Sequence, residues 1–184
     1  MKRAIFLDRD GTLIEERNYL KDPAEVVFFP STIPTLQKLA GAGFQIIIVT
    51  NQSGVGRGYF TMKEVQNVHN HITTVLRAHG VNVTAIFVAP EAPDQPSRGR
   101  KPAPAFLFDA RDKFGIDLSR SYMIGDKLID LECGWNAGVK ASILVRTGYG
   151  KTEETKLGGN AFKAVVVDGL EAAYAAILKL DVTP

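Results

Sequence analysis

The chain is poor in the residues that would cross-link it through sulfur. Cys133 is the only cysteine among 184 residues, so an intrachain disulfide and a four-cysteine zinc site are both excluded. A reducing compartment fits that usage. Long apolar runs are also lacking. None reaches the roughly 18–20 residues that a membrane-spanning helix needs, and the first residues run into a strand-like segment without the charged, apolar and small-residue sections of a secretory leader. Charge of one sign is scarce as well. Lys+Arg 22 against Asp+Glu 20 leaves a formal net charge of +2, too little on its own to argue for a nucleic-acid partner. There is no internal repeat and no low-complexity tract. The expectation is one compact α/β domain over residues 1–184, cytoplasmic and monomeric, with neither membrane nor nucleic acid as partner.

What the chain does have is concentrated at the ends of short apolar runs. Residues 4–7, Ala-Ile-Phe-Leu, have the length and composition of a strand buried on both faces. They run straight into Asp8-Arg9-Asp10-Gly11-Thr12. In open α/β sheets the reactive crevice lies outside the carboxyl ends of the strands, so Asp8 and Asp10 are placed where a ligand can reach them. Two carboxylates at i and i+2 suit a nucleophile with an acid/base, or one metal held by both. Taken alone, the string also reads as an acidic turn, because Asp-Gly is a common turn pair.

Later segments repeat the pattern. Residues 15–30 carry charge and two prolines and read as a loop or small flap, with Glu16, Asn18 and Tyr19 able to face a ligand. Ser31 is placed as the N-cap of a helix carrying Ile33, Leu36 and Leu39. A second strand over 44–49 ends in Thr50-Asn51-Gln52-Ser53-Gly54, where hydroxyl, amide and backbone N–H groups can cradle a phosphate. Thr61 and Glu64 form a capping-box signature for a helix to about residue 79. His69 and His71 lie two apart on it, do not share a face, and read as packing or surface residues. A third strand over 83–88 leads into a proline-rich loop that ends in Arg98, Arg100 and Lys101. A fixed cation there would hold Asp8 ionised and offset phosphate charge. A helix follows over 105–114, then a short strand over 121–124 that delivers Gly125-Asp126-Lys127-Leu128-Ile129-Asp130. Carboxylates from separate strand ends form an oxygen-donor set that suits Mg²⁺, with Asp126 as a ligand. Asp130 is a second ligand, a partner to the ligands or a helix N-terminal charge; the spacing does not choose. Beyond a strand over 140–145, residues 151–162 read as polar and mobile. A last strand over 164–167 and a helix capped by Asp168 close the chain.

These motifs together resemble the haloacid dehalogenase superfamily of phosphotransferases. The resemblance rests on Phe6-Leu7-Asp8-Arg9-Asp10-Gly11-Thr12, on Thr50-Asn51, on Lys101-Pro102 and on Gly125-Asp126 with Asp130 four residues on. It implies a Rossmann-like parallel sheet with helices on both faces. The segments after the first and second motifs are too short for a large cap domain. It also implies Asp8 as nucleophile through an aspartyl-phosphate, Asp10 as acid/base, and Thr50 and Lys101 on the transferring group. Mg²⁺ would be held by Asp8, Asp126 and the Asp10 carbonyl.

Within the superfamily, the run from Asn51 to Thr61, Arg100-Lys101-Pro102, and Leu144-Val145-Arg146-Thr147-Gly148 look like the heptose 1,7-bisphosphate 7-phosphatases; the histidinol-phosphatases share much of that frame. That likeness implies a small phosphorylated sugar as substrate. Its contacts would map to Glu16 to Tyr19, Thr50, Asn51, Gln52, Ser53, Arg100, Lys101 and Lys127. Many such phosphatases carry a zinc loop before Arg-Lys-Pro. Here Ala89, Glu91, Ser97 and Gly99 stand at the ligand positions. None offers a thiolate or imidazole, so no structural zinc is expected.

Overall fold

The structure, a computed structural model, describes residues 1–182, so the last two positions of the expected 1–184 unit lie outside the described residues. Six strands, β1 (Arg3–Leu7), β2 (Phe44–Asn51), β3 (Val83–Ala89), β4 (Tyr122–Gly125), β5 (Ala141–Val145) and β6 (Ala164–Val167), form one sheet in the order β3-β2-β1-β4-β5-β6. All five pairings are parallel. Parallel strands need crossovers, and the crossovers here are helical. They are α1 (Thr32–Gly41), α2 (Met62–Ala78), α3 (Ala105–Phe114), α4 (Leu128–Ala137) and the short α5 (Gly150–Glu154); α6 (Leu170–Val182) follows the last strand.

The strands are mainly apolar, as strands covered on both faces are. Ile5 and Leu7 of β1 join a cluster with Leu36 and Leu39 of α1, Val68 and Ile72 of α2, and Ile177 of α6. Ala4 and Phe6, one residue out of phase, join Leu107 of α3 and Cys133 of α4. The period of two thus sends alternate side chains into two separate cores. Each large aliphatic or aromatic side chain buried there is worth about 1.5–3 kcal/mol. Phe106, Phe108 and Phe114 are half-buried against the second core.

Helix starts follow their signals unevenly. The capping box of α2 is formed: the Glu64 N–H donates to Thr61 Oγ1 at 3.2 Å and the Thr61 N–H to Glu64 Oε2 at 2.7 Å. Ser31 holds the N-cap position of α1, but its side chain makes no capping bond. That helix is tied down instead by the Thr32 hydroxyl, which donates to the Leu13 carbonyl at 2.8 Å. The Asp168 carboxylate, read as a cap, accepts from Arg146 Nη1 at 2.7 Å.

Residues 151–162 depart from the sequence expectation. They form most of α5 and a 3-10 turn over Gly158–Lys163. Two anchors that polar composition hides explain this. Arg146 forks onto Glu154 at 2.7 and 2.8 Å, and Leu157 is buried against Leu131 and Leu144.

The strand order reverses direction between β1 and β4. One crossover leaves β1 toward β2 and another leaves β4 toward β5, so the loops after these two strands diverge and leave a crevice at their carboxyl ends. Only a single 3-10 turn, Pro23–Glu25, lies between β1 and α1, so nothing large covers the crevice from that side.

Candidate active site

Asp8 follows β1 directly and Asp126 follows β4. The Asp8 N–H donates to the Ile124 carbonyl at 2.9 Å, which locks the two strand ends side by side. Asp126 is fully buried. Its Oδ2 accepts from the Tyr149 N–H at 2.8 Å, whereas Oδ1 is buried with no hydrogen-bond partner. The chain can pass this carboxylate only as glycine. Gly11 has φ +78° and a Cβ there would lie 2.2 Å from Asp126 Oδ2; Gly148 meets the same oxygen at the same distance.

Lys101 arrives from the loop after β3. Asn51, the last residue of β2, grips its backbone twice: Oδ1 accepts the Lys101 N–H at 3.0 Å and Nδ2 donates to the Lys101 carbonyl at 3.1 Å. The buried ammonium then donates to Asp8 Oδ1 at 2.6 Å and to the Val49 carbonyl at 2.7 Å. It also lies 2.7 Å from Asp130 Oδ1, a charge contact without hydrogen-bond direction. Burial alone would lower the Lys101 pKa; the Asp130 and Asp8 charges outweigh it and hold the group above the ordinary lysine range. Asp130 Oδ2 accepts the Lys127 N–H at 3.0 Å at the start of α4.

One oxygen from each of Asp8, Asp126 and Asp130 falls within a 4.8 Å span. At that separation two carboxylates repel by about 3.5 kcal/mol at an effective dielectric near 20. Burial, then Asp8 and Asp130, push Asp126 up to about 8. Burial pushes Asp130 up to about 6 against the pull of Lys101, with Asp8 adding to the rise. Of the three acids, Asp8 and Asp130 contact the Lys101 ammonium, whereas Asp126 has only the Tyr149 N–H on Oδ2 and no donor on Oδ1. Such an all-oxygen donor set fits a hard divalent cation.

Asp10 faces the same crevice. Arg9 forks onto it, with Nε donating to Oδ2 and Nη2 to Oδ1, both at 3.0 Å, and Gln52 Nε2 adds a bond to Oδ2 at 2.9 Å. Gln52 Nε2 also donates to Thr50 Oγ1 at 2.8 Å.

A cleft of about 230 Å³ opens over these groups, the scale of a small phosphorylated metabolite. Asp8, Asp10, Glu16, Tyr19, Asn51, Gln52, Ser53, Lys101, Lys127 and Asp130 all line it. Thr50, Arg100 and Asp126 are not in that lining. Thr50 and Asp126 lie beneath it, and Arg100 Nη1 donates to the Glu91 carbonyl at 3.1 Å. Phe60 and Tyr149 also line the cleft; Tyr19 meets Tyr59 edge-on at 4.7 Å, and Lys127 stands 4.7 Å over the Tyr149 ring. Asn18 and Tyr19 hold left-handed backbone, φ 43° and 69°, a conformation that ordinary side chains resist. The Tyr149 hydroxyl donates to Asn18 Oδ1 at 3.1 Å and supports that turn.

Arg9 is not among the functional residues expected from the sequence, where His69 reads as a packing or surface residue. His69 is buried, and its Nε2 lies 3.1 Å from Arg9 Nη1. Between two aspartates in the turn after β1, Arg9 reads in the sequence as an ordinary turn charge, and only its burial in the fold, 1% exposed, demands an acceptor.

Comparison with known proteins agrees with this geometry. The HAD-hydrolase-like family matches residues 99–173, and the Polynucleotide kinase 3 phosphatase family matches residues 3–130. The chain belongs to the haloacid dehalogenase-like phosphatases. It is 40% identical over 151 residues to the D-glycero-beta-D-manno-heptose-1,7-bisphosphate 7-phosphatase of Mesorhizobium japonicum, covering 77% of this chain and 69% of that one. It is 35% identical over 161 residues to the D-glycero-alpha-D-manno-heptose-1,7-bisphosphate 7-phosphatase of Photorhabdus laumondii, covering 84% and 88%. Among solved structures, the D,D-heptose 1,7-bisphosphate phosphatase from B. bronchiseptica, complexed with magnesium and phosphate, superposes with a TM-score of 0.87. Its identity is 32%, with coverage of 97% of this chain and 99% of that one.

Proposed function

We propose that the protein removes the 7-phosphate of D-glycero-D-manno-heptose 1,7-bisphosphate. The observation that carries this reading is the pairing of Lys101 Nζ with Asp8 Oδ1 at 2.6 Å at the floor of the cleft. A buried cation that contacts only one oxygen of this carboxylate leaves the other to attack. Asp8 attacks phosphorus and forms an aspartyl-phosphate as the P–O bond to the sugar breaks. Asp10 protonates the departing sugar oxygen, then takes a proton from the water that hydrolyses the acyl phosphate and releases inorganic phosphate. Thr50 accepts from Gln52, which leaves its own hydroxyl proton available for a phosphoryl oxygen. Asp8, Asp126 and the Asp10 carbonyl would hold Mg²⁺, which supplies charge neutralisation at the phosphoryl oxygens when bound. The magnesium and phosphate of the B. bronchiseptica relative support this choice of ion.

Glu16, Tyr19, Asn51, Gln52, Ser53 and Lys127 are the proposed sugar and phosphate contacts, because they line the cleft from several loops. Lys127 Nζ lies 3.5 Å from Glu16 Oε2, so a substrate phosphate and Glu16 would share one ammonium. Arg100 belongs to the same set if its guanidinium leaves the Glu91 carbonyl for the second phosphate. The loop from 89 to 101 holds its shape without zinc in this reading. The Ser97 hydroxyl donates to Glu91 Oε2 at 2.7 Å, and the Arg100 N–H donates to Ser97 Oγ at 3.1 Å. The proposed unit is one domain, monomeric and cytoplasmic, with neither nucleic acid nor membrane as partner. Among the described residues, no helix is long and apolar enough to cross a membrane.

The test is phosphate release, with Mg²⁺, from the α and β anomers of heptose 1,7-bisphosphate, beside histidinol phosphate and a 3′-phosphorylated oligonucleotide. A kcat/KM above roughly 10⁴ M⁻¹s⁻¹ for one heptose anomer, with the others far slower, is expected. Fastest turnover of histidinol phosphate or of the oligonucleotide would overturn the substrate assignment.

A further inference from the structure

Arg9 and His69 have no part in the chemistry described above, yet they are among the most completely buried polar side chains of the protein. Arg9 is 1% exposed and His69 2%. A buried guanidinium is costly unless its donors are satisfied. Here they converge on one carboxylate. Nε and Nη2 hold the two oxygens of Asp10 at 3.0 Å each, Nη2 also reaches Gln52 Oε1 at 3.0 Å, and Nη1 meets His69 Nε2 at 3.1 Å. Arg9 can only donate, so His69 Nε2 must be the acceptor and the ring must be neutral with its proton on Nδ1. Burial, and then the Arg9 charge, lower the His69 pKa to about 3, which agrees with that assignment.

Three properties separate this arrangement from ordinary core packing. The fork geometry fixes the plane of the Asp10 carboxylate as well as its position. Gln52 binds both Arg9 and Asp10 and extends the network to Thr50. The far anchor, His69, sits on α2, the helix that follows the phosphate-side loop, so Asp10 is referenced to a rigid element that its own loop lacks.

We propose that Arg9 and His69 are positioning residues for Asp10, with the imidazole on α2 fixing the guanidinium that aims the carboxylate at the leaving oxygen. This rests on the reading of Asp10 as the group that protonates that oxygen. It predicts a defect that depends on how much the leaving group needs a proton. An alkyl oxide needs one; a nitrophenoxide leaves without it. The ratio kcat/KM reports only the steps through release of the leaving group, so the later hydrolysis of the aspartyl-phosphate does not enter.

The experiment compares the intact protein with His69→Leu and His69→Gln, using heptose 1,7-bisphosphate and p-nitrophenyl phosphate with Mg²⁺. Leucine removes the acceptor; glutamine keeps one in Oε1. In His69→Leu, kcat/KM for the alkyl ester should fall about 10- to 100-fold, a fraction of what general acid catalysis supplies, and for the aryl ester less than about threefold. His69→Gln should recover most of the alkyl activity. Equal losses on both esters in His69→Leu, or no loss on either, would overturn the proposal. So would a glutamine variant as impaired on the alkyl ester as the leucine variant. Should the unmodified protein leave the heptose ester intact, the substrate assignment falls instead. The comparison is then made with fructose 1,6-bisphosphate, another primary alkyl phosphate.

Discussion

Lys101 Nζ donates to Asp8 Oδ1 at 2.6 Å across 93 residues of chain, with both side chains almost wholly buried. The contact joins the loop after β3 to the end of β1 and carries both stability and charge control. Lys101→Met would leave Asp8 and Asp130 facing each other without a cation. Removing one partner of a buried pair costs about 3–5 kcal/mol, and a chain of this length loses about 2–4 °C of Tm per kcal/mol. Thermal unfolding should therefore drop by about 6–20 °C, and phosphatase activity should vanish. An unchanged Tm would mean that the pair contributes nothing to the fold.

Asp8→Asn and Asp10→Asn should each lower kcat by about 10³-fold or more while leaving the fold intact. The two variants separate in mass spectrometry after a rapid acid quench. Asp10→Asn retains the nucleophile, so a phosphorylated Asp8 peptide is expected there and none in Asp8→Asn. Near-normal turnover in either would remove that residue from the mechanism.

In the proposed mechanism, metal and proton compete for Asp126. Its pKa in the fold, about 8, stands above the ordinary carboxylate value near 3.9. Between those values the folded chain binds more protons than the unfolded one, so the stability of metal-free protein falls as pH rises through 8. His69, held neutral, acts in the opposite sense below about 6.5, so the Asp126 effect is cleanest between pH 7 and 8. Over that unit the metal-free protein should lose about 1 kcal/mol. Magnesium affinity, measured by titration calorimetry, should rise severalfold over the same interval, because binding releases the proton. An affinity independent of pH would separate Asp126 from the metal.

Gly11→Ala tests the tight passage beside Asp126. Alanine at φ +78° is strained, and its Cβ would sit 2.2 Å from the Asp126 carboxylate. Destabilisation of about 1–3 kcal/mol is expected from the backbone conformation alone, and magnesium affinity should fall because the carboxylate is displaced. Gly115→Ala is the control. Its φ of +67° is also left-handed, but nothing lies within 4 Å of a Cβ there, so only stability should change.

Much of the protein was determined by its sequence. The apolar runs that became β1, β2 and β3 end in polar chain, and burial on both faces leaves few other placements for them. The parallel α/β class follows from their alternation with helical spacing. The acids Asp8, Asp10 and Asp126, and the cation Lys101, are legible because each stands immediately after a strand or in a loop that one delivers. Spacing along the chain cannot report contacts between side chains from distant segments, and the remaining features depend on those. The helical turn of α5 required Arg146 to find Glu154. The place of Asp130 against Lys101 required β3 and β4 to lie on either side of β1. The Arg9–His69 contact required α2 to pack on the face of the sheet toward which the guanidinium reaches. A sequence fixes which groups must be buried or partnered; only the tertiary structure selects, among all the partners available, the one that lies within 3 Å.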